Sequence, residues 1–196
     1  VSWTALMLSA SARGGAMLGD ADAILRAARA ADRLLTRART DTGLARYLFE
    51  DAPQGTGLVD DHGFLIAALL DLFEAQPELR CLDAAIELQG ALDRRFLDRE
   101  HGGYWMGPSD GETLWVRAKP IADGAEPTGN AVSASNLLRL HQLTGDAAYR
   151  ERAEQAHARQ VQASMDDPRL VEAATAIREN RLPDAGALLR EHLKEY

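Results

Sequence analysis

Residues 64–97 read FLIAALLDLFEA, QP, ELRCLDAAIELQGALDRRFL. The first part, Phe64–Ala75, leaves almost no polar surface on any side, which predicts a helix buried all round. Gln76-Pro77 then stops it, because proline cannot continue a helix from the residue before it. The second part, Glu78–Leu97, places Leu79, Leu82, Ala85, Ile86, Leu88, Leu92 and Phe96 at helical spacing, so one stripe faces inward and the rest faces water. The same device occurs twice more. Trp3–Leu18, Gly19-Asp20 and Ala21–Arg39 form one copy; Ala131–Leu143, Gly145-Asp146 and Ala147–Ala163 form the other. Three such copies predict an all-α ring of stacked helical hairpins, with apolar helices inside, amphipathic helices outside and the connecting loops gathered at one end.

Between the hairpins the pattern changes. Gly43–Asp51 is β-prone through Tyr47, Leu48 and Phe49, and Pro53 and Gly55 are expected to break it. Gly102–Met106 and Thr113–Arg117 flank the turn Pro108-Ser109-Asp110-Gly111, which predicts a β-hairpin insertion. Asp20 is a predicted N-cap, as are Asp60 or Asp61, and Thr128 or Asn130. Pro168 opens a separate unit. Residues 1–166 are expected to form the hairpin domain, and 167–196 a C-terminal helical hairpin of tetratricopeptide type or a cap.

The 196 residues carry 30 acidic and 22 basic side chains, a net charge of −8. That balance argues against nucleic acid or an anionic membrane as partner and leaves neutral ligands such as sugars open. No apolar run reaches the roughly 20 residues of a membrane span. Cys81 is the single cysteine, so no internal disulfide or CxxC motif exists and its expected role is packing. A cytoplasmic setting fits. No metal spacing, phosphate-cradling glycine loop or Ser/His/Asp order stands out, so neither a metal nor a cofactor is expected.

Several segments are more specific. Gly57-Leu58-Val59-Asp60-Asp61-His62-Gly63-Phe64, Gly102-Gly103-Tyr104-Trp105, and Lys119 followed by Asp123-Gly124-Ala125-Glu126-Pro127-Thr128-Gly129-Asn130 resemble motifs of one family. So do Trp3 with Leu6-Met7 and Leu143-Thr144-Gly145-Asp146. The family is that of the thioredoxin-like proteins related to the spermatogenesis-associated thioredoxin-like protein, whose C-terminal part is a six-hairpin α/α-toroid. The resemblance covers roughly residues 2–163. Thr4 stands where the family has Asn, and His62-Gly63 where it has Tyr-Ala. The family's thioredoxin-like domain and its cysteine motif are absent, so no redox role follows. About three of six hairpins are present, so a closed ring would need a second copy or further sequence. The family's toroid is similar to glycoside hydrolases and N-acylglucosamine epimerases, which implies sugar chemistry by fold analogy.

In such a ring the inner-helix starts converge. Asp60, Asp61, Asp123 and Glu126 lie at such starts and are the candidate catalytic carboxyls, since an inverting glycosidase needs an acid and a base about 6.5–9.5 Å apart. Trp3 and Trp105 are candidate sugar platforms, and Trp115 is a third aromatic of the same kind. His62 is a candidate proton carrier, Arg117 and Lys119 could hold an anionic group, and Asn130 completes the substrate-binding set. The expected function is a carbohydrate-handling toroid domain, glycosidase- or epimerase-like. The alternative is a non-catalytic interaction module that pairs with itself through uncovered apolar helices.

Overall fold

The computed structural model describes residues 1–112, 115–120 and 123–165. The expected C-terminal hairpin at 167–196 lies outside the described residues, as do Thr113 and Leu114 of the expected β-hairpin. Six helices follow the predicted device. They are α1 (Ser2–Leu18), α2 (Ala21–Arg37), α3 (Val59–Ala75), α4 (Leu79–Arg95), α5 (Gly129–Thr144) and α6 (Ala147–Met165). Each odd helix packs on the even helix after it, and α3 packs on both α1 and α5. The three apolar helices are thus the inner row, with α3 at its centre. This is the α/α-toroid arrangement over part of a ring.

The reason lies in α3. Phe64, Leu65, Ile66, Ala68, Leu69 and Leu70 are all essentially without exposure. Removing each large side chain from water is worth about 1.5–3 kcal/mol, so the central helix organises the rest. The turns behave as read. Asp20 accepts the Ala23 N–H at 2.9 Å, and Thr128 accepts the Ala131 N–H at 3.1 Å. Cys81 is buried at the inner stripe of α4.

Two expectations are corrected. The helix α1 is not buried on several sides: it hides Ala5, Leu8 and Ala12, whereas Trp3, Met7, Met17 and Leu18 are at least two-thirds exposed. Among the described residues the helices packed on it are α2 and α3. The β-structure also falls elsewhere. Strands β1 (Arg39–Thr40), β2 (Gly43–Phe49) and β3 (Ala52–Thr56) form an antiparallel sheet in that order. Glu50 and Asp51 make the β2–β3 turn with φ of 49° and 62°, the left-handed pair a two-residue hairpin demands. Pro53 and Gly55 do not break it, because β3 is an exposed edge strand and loses no ladder bond to proline.

The expected hairpin around Pro108 is not formed among the described residues. The described residues of 98–112 and 115–118 instead lie as a clasp over the start of α3. Met106 accepts the Val59 N–H at 3.0 Å and donates to the Ala118 carbonyl at 2.8 Å, and Leu97 and Tyr104 make an isolated bridge.

Candidate functional site

The starts of α1, α3 and α5 meet, and acidic side chains lie there as expected. Carboxylates at these positions complement the helix dipole and the unpaired N–H groups of the first turn. Asp60 is half-buried. It lies against Gly129, the first residue of α5, whose backbone amide favours its charged form. A Cβ at Gly129 would come within 2.4 Å of Asp60 Oδ1, so only glycine lets the two helix starts approach this closely. Burial raises the Asp60 carboxyl above its ordinary value of 3.8. The Gly129 amide and Arg46 oppose the rise, while Asp61 and Glu126 add to it.

Asp61, its sequence neighbour, is a different object. It has no exposure. Its oxygens accept the Ser2 N–H at 3.0 Å, the Leu58 N–H at 2.8 Å and the Arg46 guanidinium at 2.7 Å. It ties the start of α1, the strand β2 and the start of α3 together, with no face open to a ligand. Asp61 is an anchor that positions Asp60.

The remaining candidates divide in the same way. Trp3 and Glu126 are exposed at the rim, and Glu126 is near enough to Asp60 to raise its carboxyl. Asp123 is exposed too, and accepts the Thr128 N–H at 2.8 Å, shaping the loop that enters α5. His62 is not with them. Two residues on from Asp60, rather more than half a helical turn, it points to the other side of α3, where it is fully buried against Phe96 at 4.9 Å between ring centres. Its Nδ1–H donates to the Leu58 carbonyl at 2.9 Å, and burial pushes its pKa down. In this position it has no face open to solvent.

Trp105 does not present a bare ring, because Arg117 and Lys119 lie over it at 4.9 and 4.5 Å. Lys119 also pairs with Asp98 and donates to the Gly102 carbonyl at 2.8 Å. Arg117 donates to the Gly107 carbonyl at 3.0 Å. Asn130 is likewise committed: it accepts the Tyr104 N–H at 2.6 Å and donates to the Tyr104 and Pro120 carbonyls at 2.9 and 2.8 Å. These residues stitch the 98–118 clasp to α5. Trp115 stands fully in solvent.

Sequence reasoning missed what lies below this rim. A cavity of about 330 Å³ opens between α1, α3 and α5 and reaches up to Pro127 beside Glu126. Its floor is a cross-helix network. Asp71 on α3 accepts from Ser9 on α1 and, at 2.8 Å, from Arg139 on α5. Arg139 also pairs with Glu74 at 2.8 Å. These residues are separated by 62 to 68 positions. The only available signal was a polar residue recurring on each otherwise apolar inner helix.

The chain is 38% identical over 156 residues to human spermatogenesis-associated protein 20, covering 74% of this chain. The chain is a relative of spermatogenesis-associated protein 20. The rat form of that protein is 36% identical over the same length. The chain spans about a fifth of the length of these curated relatives of spermatogenesis-associated protein 20. No family model matches the chain.

Two solved structures share the fold. Cellobiose 2-epimerase from Spirochaeta thermophila superposes with a TM-score of 0.61 at 20% identity, over 79% of this chain and 41% of that one. A family 76 glycoside hydrolase from a Bacteroides thetaiotaomicron strain gives 0.63 at 18% identity, over 81% and 33%. Both likenesses establish the α/α-toroid fold. No described helix is long and apolar enough to cross a membrane.

Proposed function

We propose that this domain handles carbohydrate at the starts of its inner helices, with Asp60 as the proton-handling carboxyl. The observation that carries the reading is the state of Asp60. It is half-buried against Gly129 at the start of α5, and burial raises its carboxyl above the ordinary value. A carboxyl raised by burial keeps its proton to higher pH than a free one, the direction a general acid needs. Glu126 faces it from the α5 entry loop as the second carboxyl, and Asp123 fixes that loop. Trp3, exposed on the rim, offers a face on which a sugar ring can stack. The two fold neighbours are named for sugar chemistry, an epimerase and a glycoside hydrolase, and that supports the class of ligand.

The test is a panel of mono- and disaccharides followed by proton NMR. Hydrolysis gives new reducing ends, and epimerisation gives a second anomeric set. Asp60→Asn and Glu126→Gln should each abolish turnover or binding while the melting temperature holds. Unchanged binding in both variants would refute the proposal.

A second reading rests on a separate observation. Trp3, Met7, Met17 and Leu18 form an exposed apolar flank along α1, and such a flank marks an interface. Self-association through it predicts a dimer by sedimentation, and Met7→Glu would dissolve that dimer.

A further inference from the structure

Where β2, α3 and α4 meet, two polar atoms are buried without a hydrogen-bond partner among the described residues, His62 Nε2 and Arg95 Nη1. His62, on α3, has no exposure, and the Arg95 side chain at the end of α4 is 13% exposed. Both nitrogens converge on Gly43 of β2. A Cβ there would lie 3.1 Å from His62 Nε2 and 2.7 Å from Arg95 Nη1. The two side chains also share the Phe96 ring, against which His62 packs and over which the Arg95 guanidinium lies at 5.7 Å. The Leu58 carbonyl can only accept, so Nδ1 carries the His62 proton and Nε2 of the neutral ring is an acceptor near a guanidinium donor. Arg95 also holds the clasp. Its guanidinium pairs with Asp110 at 2.9 Å and its carbonyl accepts the Ser109 N–H at 2.7 Å. The next carbonyl, of Phe96, accepts the Trp105 N–H at 2.9 Å, and Met106 then covers the start of α3 through the Val59 N–H.

We propose that His62 and Arg95 form an acid-released latch: neutral His62 lets Arg95 hold the clasp over the first turn of α3, and a proton on His62 sets two cations together out of water and frees the clasp. A buried charge beside a like charge is doubly disfavoured, by lost hydration and by repulsion. Opening relieves both. Outside the joint His62 titrates at its ordinary 6.5, whereas inside it burial, the largest cause, and Arg95 hold it lower against the Leu58 carbonyl and Asp61. The folded value is the lowered one, so the latch is at full strength above about pH 6.5 and weakens as pH falls below that. With the closed ring still neutral, linkage gives roughly a twentyfold rise in the open population from pH 7 to 5. The other charges at the joint keep their state across this range. Asp61 is bound to Arg46 of β2, and hydrogen bonding from Arg95 holds Asp110 below its ordinary 3.8. The latch acts on the start of α3 whatever ligand is bound there, so it stands apart from the carbohydrate reading.

The test is amide hydrogen exchange of the whole chain by NMR at pH 7.0, 6.0 and 5.0, corrected for the intrinsic pH dependence of exchange. The Val59, Trp105, Met106 and Ser109 amides should lose about tenfold in protection from pH 7.0 to 5.0, while the Leu65 and Leu69 amides inside α3 keep theirs. His62→Gln, which takes no proton, should abolish the change, and Arg95→Met should open the clasp already at pH 7.0. The wild-type ring gives a readout that needs no variant to fold: nitrogen-15 spectra should show His62 neutral, with its proton on Nδ1, at pH 6.0. Equal clasp protection at pH 7.0 and 5.0, a loss that persists in His62→Gln, a loss spread evenly over all helices, or a His62 midpoint at or above 6.5 would overturn the inference.

Discussion

The start of α3 and the 98–118 clasp are equally rich in polar side chains, yet they spend them differently. In and around the clasp the groups that hold it are partnered. Lys119 is held by Asp98, Asn130 by Tyr104 and Pro120, and the Trp105 ring by two cations. At the α3 start one carboxylate, Asp61, is equally committed, but the next one along, Asp60, keeps a raised and partly open carboxyl. Polar residues that satisfy each other make a scaffold, and a site is where the accounting is left incomplete.

Each prediction bears on that contrast. The largest effect belongs to Asp61→Ala. It strands the Ser2 and Leu58 N–H groups and one side of Arg46, at a cost of about 3–5 kcal/mol. A fall in melting temperature on the order of 10 °C is expected by calorimetry. A smaller fall than that of any clasp variant would erase the distinction.

Lys119→Met comes next, at about 3 kcal/mol, because it leaves the buried Asp98 without its cation. This pair also sets a pH signature. Burial alone would raise Asp98, but Lys119 and the His101 and Glu100 N–H groups outweigh it and hold the carboxyl at about 2, below its ordinary 3.8. The folded value is lowered, so the stability Asp98 supplies is complete above about pH 4 and is lost as pH falls through about 2. Urea melts from pH 5 to 2 should show this slope in the wild type and a shallower one in Lys119→Met.

Tyr104→Phe is smaller, about 1 kcal/mol. The hydroxyl donates to Asp93 at 2.7 Å and accepts from Gln89 at 3.0 Å. Asp93 keeps Gln89 and Arg152 in its absence. Chemical denaturation should resolve the change. Trp115→Ala should alter stability by less than about 0.5 kcal/mol, since its ring touches solvent on every side.

The fold was legible in the sequence because burial writes itself into periodicity. Phe64–Ala75 could only be a buried helix, and the glycines at 19 and 145 mark helix ends with φ of 70° and 76°. The β-insertion was misplaced because strand propensity was weighed without asking which strand would be an edge. Tyr104, Trp105 and Trp115 looked strand-like, but Gly102 and Gly103 both take φ above 70°, and the chain folds into a clasp. That acidic side chains gather at the inner-helix starts followed from the sequence alone. Which aspartate stays open did not, because Arg46 and Ser2 settle that, 15 and 59 residues away. The exposed flank of α1 was hidden for a related reason: apolar composition does not reveal how many neighbours a helix has.

The central claim is that Asp60 is a half-buried carboxyl at the inner-helix starts, raised above its ordinary value. Carbon-13 NMR titration of its side-chain carboxyl measures this directly, in the wild type and in Glu126→Gln. The midpoint should lie above the ordinary carboxylate value of 3.8 and move back toward it when Glu126 loses its charge. A midpoint at or below 3.8, unmoved by Glu126→Gln, would show a carboxylate fully held by Gly129 and Arg46 and would contradict the account.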